Sequence, residues 1–313
     1  MDSSVTVVIR SVGERTEKLC YKLMSEQVKP NQIHVVNRVP FTESLRESFR
    51  IGLSEDRKWT LCIDADVLIR SGVIESIMEH GNNAKDNVCE LQGMIIDKFF
   101  SRIRPSGIHL YRTSLLNKAI AEVPKDNNVM RPEHRTLQQM KSDGYPWVQL
   151  KLIVGLHDYE QYYSDIFRKF YVQAHKHEKW VFQMLDHWRM KANDDFDYQV
   201  ALWGLAAGIS TISGVQIDKS NAPYHIMEYF GANDSNKFIE KKPIEEDKWN
   251  ASEIDKMVEE FVSTHQKKQA KRNTFKYNIF QAYKKVGLLK VMPYLTAIFI
   301  LKYVKLIKDR LSS

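Results

Sequence analysis

Two carboxylates, Asp64 and Asp66, stand one small residue apart at the end of the run Trp59-Thr60-Leu61-Cys62-Ile63. The run reads as a buried strand. An acid at its end is costly to desolvate, and two neighbouring acids repel. A cation removes both penalties. Alternation along an extended segment places Asp64 and Asp66 on one side, so both can face one ion. Hard divalent cations such as Mn or Mg prefer carboxylate oxygens and accept phosphate oxygens as co-ligands. The pair therefore points to a divalent metal ion. The competing reading is a turn with two solvated acids.

The surrounding elements decide where such a pair would sit. Residues 5–9, Val-Thr-Val-Val-Ile, and 32–36, Gln-Ile-His-Val-Val, read as strands, and 59–63 as a third. Between them, 14–27 and 43–55 carry apolar residues at helical spacing, with Thr42 as N-cap of the second helix. Strand, helix, strand, helix, strand predicts a doubly wound, mostly parallel α/β sheet of the Rossmann-like type. Ligands of such sheets sit beyond the carboxyl ends of the strands, where Asp64 and Asp66 fall. Further on, the pattern predicts helices over 71–80, 113–121 and 133–143, the last closed by Gly144. It predicts strands near 88–97, at 107–112 and at 147–154. Beyond residue 160 the chain reads as a helical extension, with helices over 160–174, 178–190, 194–207 and 252–264, and a polar, irregular stretch over 215–250.

The segments VTVVIRSVGER, IHVVN and SFRIGLSEDRKWTLCIDADVLI together resemble the start of a family-2-type glycosyltransferase with the GT-A fold. Three downstream segments continue the resemblance: GIHLYRTSLLNKA (107–119), PEHRTLQQMKSDGYPW (132–147) and LIVGLHDYEQYY (152–163). It covers about residues 3–165. The resemblance implies that Asp64 and Asp66 hold Mn or Mg on the diphosphate of a nucleotide-sugar, with His157 as third ligand. Donor contacts would come from Arg10, Ser11 and Glu14 at the exit of the first strand, from Asn37, from Arg50, and from Asp64 and Ala65. Three positions depart from the family. Arg10 stands where a Pro is frequent, and Asn37 where an Asp often contacts uracil. Glu133-His134 replaces the Glu-Asp pair whose Asp is the general base of inverting members. Glu133 is the first choice for a catalytic base, with His134, Asp158 and Glu160 as alternatives. The acidic stretch NDDFDYQ (193–199), with Gly208 closing its helix, imitates the same pair or is simply a helix N-terminus.

Composition sets the class of partner. The chain has 313 residues, 43% hydrophobic and 27% charged, with a net charge of +7. The charge is concentrated: residues 266–313 hold twelve Lys or Arg against one acid, Asp309, so the remainder is net −4. The basic character belongs to the tail, and no nucleic-acid-binding module accompanies it. The tail's longest uncharged run, 291–301, is eleven residues and contains Pro293. That is too short to span a bilayer, and it predicts a helix lying at the membrane surface. The alternative is a solvated basic face packed on the domain. Three isolated cysteines, Cys20, Cys62 and Cys89, read as reduced core residues. The N-terminus lacks the pattern of a secretory leader.

The expected organisation is a catalytic domain over 1–165, a packed extension over 166–265 and a basic tail over 266–313. The expected activity is transfer of a sugar, UDP-linked by preference, to a glycan or lipid-linked acceptor at the inner face of the membrane. The rivals are a nucleotidyltransferase, for which Gly13 alone makes a poor phosphate loop, and a degenerate, non-catalytic partner subunit.

Overall fold

The computed structural model describes residues 4–126, 129, 131–176, 178–211, 222–231, 239–245 and 248–265. The chain divides into two compact units, Met1–Val258 and Glu259–Ser313. The predicted surface helix of the tail lies outside the described residues.

The first unit is built on β1 (Val5–Ser11), α1 (Glu17–Ser25), β2 (Ile33–Asn37), α2 (Phe41–Glu55), β3 (Trp59–Asp64), β4 (Val67–Ile69), α3 (Val73–Asn82), β5 (Glu90–Asp97), β6 (Arg102–Arg112), α4 (Leu116–Glu122), α5 (Pro132–Ser142) and β7 (Trp147–His157). Four helices follow: α6 (Tyr163–Lys176), α7 (Glu178–Lys191), α8 (Phe196–Ser210) and α9 (Ala222–Phe230). Residues 251–265, here α10, are also helical, with Ile254 and Val258 buried.

The strands form one sheet in the order β2-β1-β3-β6-β5-β7-β4. β1 pairs in parallel with β2 and β3, and β5 with β7, while β6 and β4 run the other way. This is the predicted doubly wound α/β arrangement with a helical extension; the sheet is mixed, with five of its seven strands sharing one direction. The β-branched and aromatic residues of β1 and β3 are buried throughout, which explains why these strands read as continuous apolar runs.

One helical layer packs Leu45 and Phe49 of α2, Leu116 of α4 and Leu137 and Met140 of α5 against Val8, Cys62 and Tyr111. Gly52 permits the closest approach in this layer: a Cβ there would stand 2.2 Å from Thr60 Oγ1. A second core gathers Phe99, Ile166, Phe167, Phe170, Tyr171, Trp188 and Tyr198. Trp188 Nε1 donates to the Phe99 carbonyl at 2.8 Å, tying α7 to the end of β5. The three cysteines are free and buried.

Several expectations need correction. Thr42 is not an N-cap: α2 begins at Phe41 behind Pro40, and Thr42 is buried within its first turn. Gly208 does not close a helix. It lies inside α8 with Gly204, where added Cβ atoms would stand 2.5 Å from Tyr171 O and 2.1 Å from Phe167 O, so the pair lets α8 lie directly on α6. The strand expected from 107 begins at Arg102, and Pro105 is accommodated at the register shift opposite Met94. The helix expected at 113–121 opens as a 3-10 turn, Thr113–Leu115. β4 was not legible because it has three residues, and α9 lies inside the stretch read as irregular.

Candidate functional site

All five strands that share a direction end on one edge of the sheet, at Ser11, Asn37, Asp64, Asp97 and His157. Polar side chains gather there in two networks, and Asp64 and Asp66 belong to different ones.

The first network centres on Arg10, which is 3% exposed. Its Nε donates to Asp64 Oδ1 at 2.9 Å and its Nη1 to Glu133 Oε1 at 2.7 Å. The guanidinium lies over the Phe41 ring, 5.0 Å from its centroid. Glu133 also accepts from Tyr111 Oη at 2.7 Å, and its Oε2 lies 3.2 Å from His109 Nε2. The other nitrogen of His109 meets Glu90 Oε1 at 2.5 Å. Burial alone would raise the Glu133 carboxyl. Arg10, then His109 and the hydrogen bonds from Arg10 and Tyr111, outweigh it and hold the group at about 2. A carboxylate so heavily donated to is a weak proton acceptor, and its geometry suits anchoring Arg10.

The second network joins Asp66, His157 and Asp158. One ligand atom from each lies within 4.8 Å of the others. β4 and β7 create the juxtaposition by pairing Val67 with His157, and Asp158 holds the left-handed conformation (φ 67°) just beyond the strand. His157 Nε2 is 3.5 Å from Asp66 Oδ2, and its Nδ1 is 3.0 Å from Asp158 Oδ2 and 3.2 Å from Asp97 Oδ2. Arg104 holds Asp97 through two hydrogen bonds of 2.8 and 2.6 Å. Lys169 of α6 donates to Asp66 Oδ2 at 3.1 Å and to Asp158 Oδ1. Burial would lower the His157 pKa, but Asp158 and Asp66 raise it to about 9. Asp66 is held well below the usual carboxylate range, because His157 and Lys169 outweigh its burial.

The donor set of Asp66, His157 and Asp158 fits Mn or Mg: two carboxylates, one imidazole, and a buried Asp66 Oδ1 without a hydrogen-bond partner among the described residues. Two of the three expected ligands therefore meet. The third position is taken by Asp158, while Asp64 sits with Arg10.

The remaining expected residues fall at various distances from this edge. Ser11 donates to Glu14 Oε2 at 2.6 Å, and Val12 N–H to the same oxygen at 2.7 Å, so the pair shapes the turn after β1. Ala65 is buried: its N–H donates to the Arg10 carbonyl at 2.9 Å and its carbonyl accepts from Thr16 Oγ1 at 2.7 Å. Asn37 is exposed beside Ser11 in the β1–β2 register. His134 lies at the start of α5 against the Trp147 ring, 6.0 Å between centroids. Glu160 pairs with Arg15. Arg50 is not brought to this edge. It stands nine residues into α2, about 14 Å along the helix, exposed and paired with Glu47 at 3.3 Å. The stretch at 193–199 is a helix N-terminus: Asp195 caps α8 by accepting from Asp197 N–H at 2.9 Å, and Asp197 pairs with Lys98 and Lys241.

Asp97, Arg104 and Lys169 were not foreseen. Asp97 carries the same signal as Asp64, an acid ending an apolar strand. Lys169 had a subtler one: a cation three residues from Ile166 and one from Phe170 on an aromatic helix.

No family model matches the chain, and no curated protein matches it. Among solved structures, the chain is similar to a mannosyltransferase from Pyrobaculum calidifontis in complex with GDP-Man and Mn2+, at 12% identity over 75% of this chain and 84% of that one, with a TM-score of 0.37. It is also similar to a glycosyltransferase involved in glycosylation of the major capsid of PBCV-1, at 13% identity over 49% and 82%, TM-score 0.34. A third is a cytidylyltransferase from Leptospira borgpetersenii, at 10% identity over 48% and 76%, TM-score 0.36. At TM-scores of 0.34 to 0.37 these likenesses are too distant to carry a function to this chain. Among the described residues, no helix is long and apolar enough to cross a membrane.

Proposed function

We propose that the chain is a metal-dependent glycosyltransferase that moves a sugar from a nucleotide-sugar donor, UDP-linked by preference, to a hydroxyl of a glycan or lipid-linked acceptor in surface polysaccharide synthesis. The observation that carries this reading is the Asp66–His157–Asp158 cluster at the carboxyl edge of the parallel strands. Mn or Mg held by Asp66 and His157, completed by Asp158, would supply Lewis-acid stabilisation of a leaving diphosphate. Asp97 orients His157, and His157 and Arg104 together hold Asp97 ionised. Arg10 is fixed by Asp64 and Glu133 at the exit of β1, where it orders the floor of the donor site. In this reading the catalytic part spans 1–165, the helices to 265 support it, and the basic tail holds it peripherally at the inner face of the membrane.

Calorimetric titration with UDP, GDP, dTDP and CTP, each with Mn2+ and with EDTA, tests the reading on wild type and Asp66→Ala. The expected result is binding of one nucleoside diphosphate that needs Mn2+ and disappears in the variant. Binding of CTP alone would favour a nucleotidyltransferase. No nucleotide binding under any condition would overturn the transferase reading and leave the non-catalytic partner.

A further inference from the structure

The cluster of Asp66, His157 and Asp158 contains a cation of its own. Lys169 Nζ lies 3.1 Å from Asp66 Oδ2 and bonds Asp158 Oδ1, so it touches both carboxylates that would bind a divalent ion. Its side chain is 23% exposed and reaches the cluster from α6, while the three cluster residues come from the sheet edge. Charge explains why it is there. Asp66, Asp97 and Asp158 place three carboxylates in one buried cluster, and Arg104 pairs with Asp97. Without a further cation Asp66 and Asp158 would face each other across His157 only. A lysine suits a position that must be vacated: its ammonium is a point charge on a flexible four-carbon stem, with no planar geometry to hold it.

We propose that Lys169 is a placeholder cation: its ammonium occupies the metal position between Asp66 and Asp158, and a divalent ion binds there by displacing it. This rests on the metal reading of the cluster given above. Two cations held by the same two carboxylates, a few ångström apart, repel strongly. The ion therefore competes with Lys169 whenever it enters alone. An incoming anionic diphosphate favours the exchange, because it brings negative charge both to the ion and to the displaced ammonium. The metal site then fills efficiently only together with donor.

The test is a titration of the full chain with Mn2+ and no nucleotide, following free Mn2+ by electron paramagnetic resonance, on wild type, Lys169→Met and Lys169→Arg. Lys169→Met is expected to bind one Mn2+ at least about tenfold more tightly than wild type, and Lys169→Arg to stay weak. Equal affinity in wild type and Lys169→Met overturns the inference, as does the absence of Mn2+ binding in both. A second measurement needs no variant. Reductive methylation of wild type, read by mass spectrometry, is expected to label Lys169 faster in excess Mn2+ than in EDTA, and an unchanged rate overturns the inference. The two readings fail separately. Competition between Mn2+ and Lys169 without any nucleotide binding would remove the transferase and keep the placeholder. Mn2+-dependent nucleotide binding with equal Mn2+ affinities would do the reverse.

Discussion

Asp64 and Asp66 are two residues apart and live in different electrostatic settings. Asp64 faces a rigid guanidinium, Arg10, that Glu133 and the Phe41 ring hold in place. Asp66 faces a flexible ammonium, Lys169, together with His157 and Asp158. Arginine and lysine differ in what they permit. A planar, bidentate guanidinium fixes its partners, whereas an ammonium can be exchanged for another cation. The Arg10 half is the permanent part of the site and the Lys169 half the replaceable one.

The largest effect that would separate the halves is Arg10→Met. It leaves Glu133 buried and deprives it of its main partner, and it should cost about 3–5 kcal/mol in urea denaturation with no recovery in Mn2+. Lys169→Met is the matching change in the other half. It should cost about 2–3 kcal/mol in EDTA, and saturating Mn2+ should restore most of it, since a ligand that binds only the native state stabilises that state. Recovery of both variants by Mn2+, or of neither, would erase the distinction.

An intermediate effect comes from the packing that delivers Lys169. Gly204→Ala puts a methyl where Phe167 O now lies 2.1 Å from the Cβ position, which forces α6 and α8 apart. A loss of about 1–3 kcal/mol is expected, with Mn2+ affinity changing and the Arg10 network unaffected.

The pH dependence of stability probes Glu133. Its folded pKa, about 2, lies below its ordinary value of 4.5. A depressed carboxylate stabilises the fold above the unfolded value and loses that contribution as pH falls through the folded one. Stability should therefore drop by about 3 kcal/mol between roughly pH 4.5 and 2 on account of this group. Thermal melts of wild type and Glu133→Gln across that window should show a shallower acid limb in the variant. The smallest effect is expected at Arg50. Its exposed pair with Glu47 should be worth at most about 0.5 kcal/mol, and Arg50→Ala should leave nucleotide affinity unchanged in calorimetry. Weakened binding would return Arg50 to the donor site.

The strands that build the site were legible because burial on both faces imposes continuous apolar runs. β1 and β3 were placed from Val5–Ile9 and Trp59–Ile63 within two residues of their true ends. Elements with weaker local signals were missed. β4 has three residues and exists because it pairs with β7. The first five residues of β6 contain two arginines and Pro105, and are held by pairing with Met94–Asp97 of β5, on the far side of a register shift. The helical positions on either side of Lys169 were legible as a helix, but its role was not.

The sequence by itself determined the β1-α1-β2-α2-β3 half of the sheet, its parallel direction and the edge on which acids would gather, because hydrophobic periodicity and the order of elements are local properties of the chain. It also determined which residue types were available at that edge: Asp64, Asp66, His157 and Asp158 all close or follow strands. Only the tertiary structure decided how they are partnered. Arg10 lies 54 residues from Asp64, Glu133 lies 123 residues from Arg10, and Lys169 lies 103 residues from Asp66. No local pattern encodes which cation reaches which carboxylate, because that depends on strand register and on how closely α6 packs on α8. A two-residue spacing that allowed one shared ion is thus resolved into one pair with Arg10 and another with Lys169.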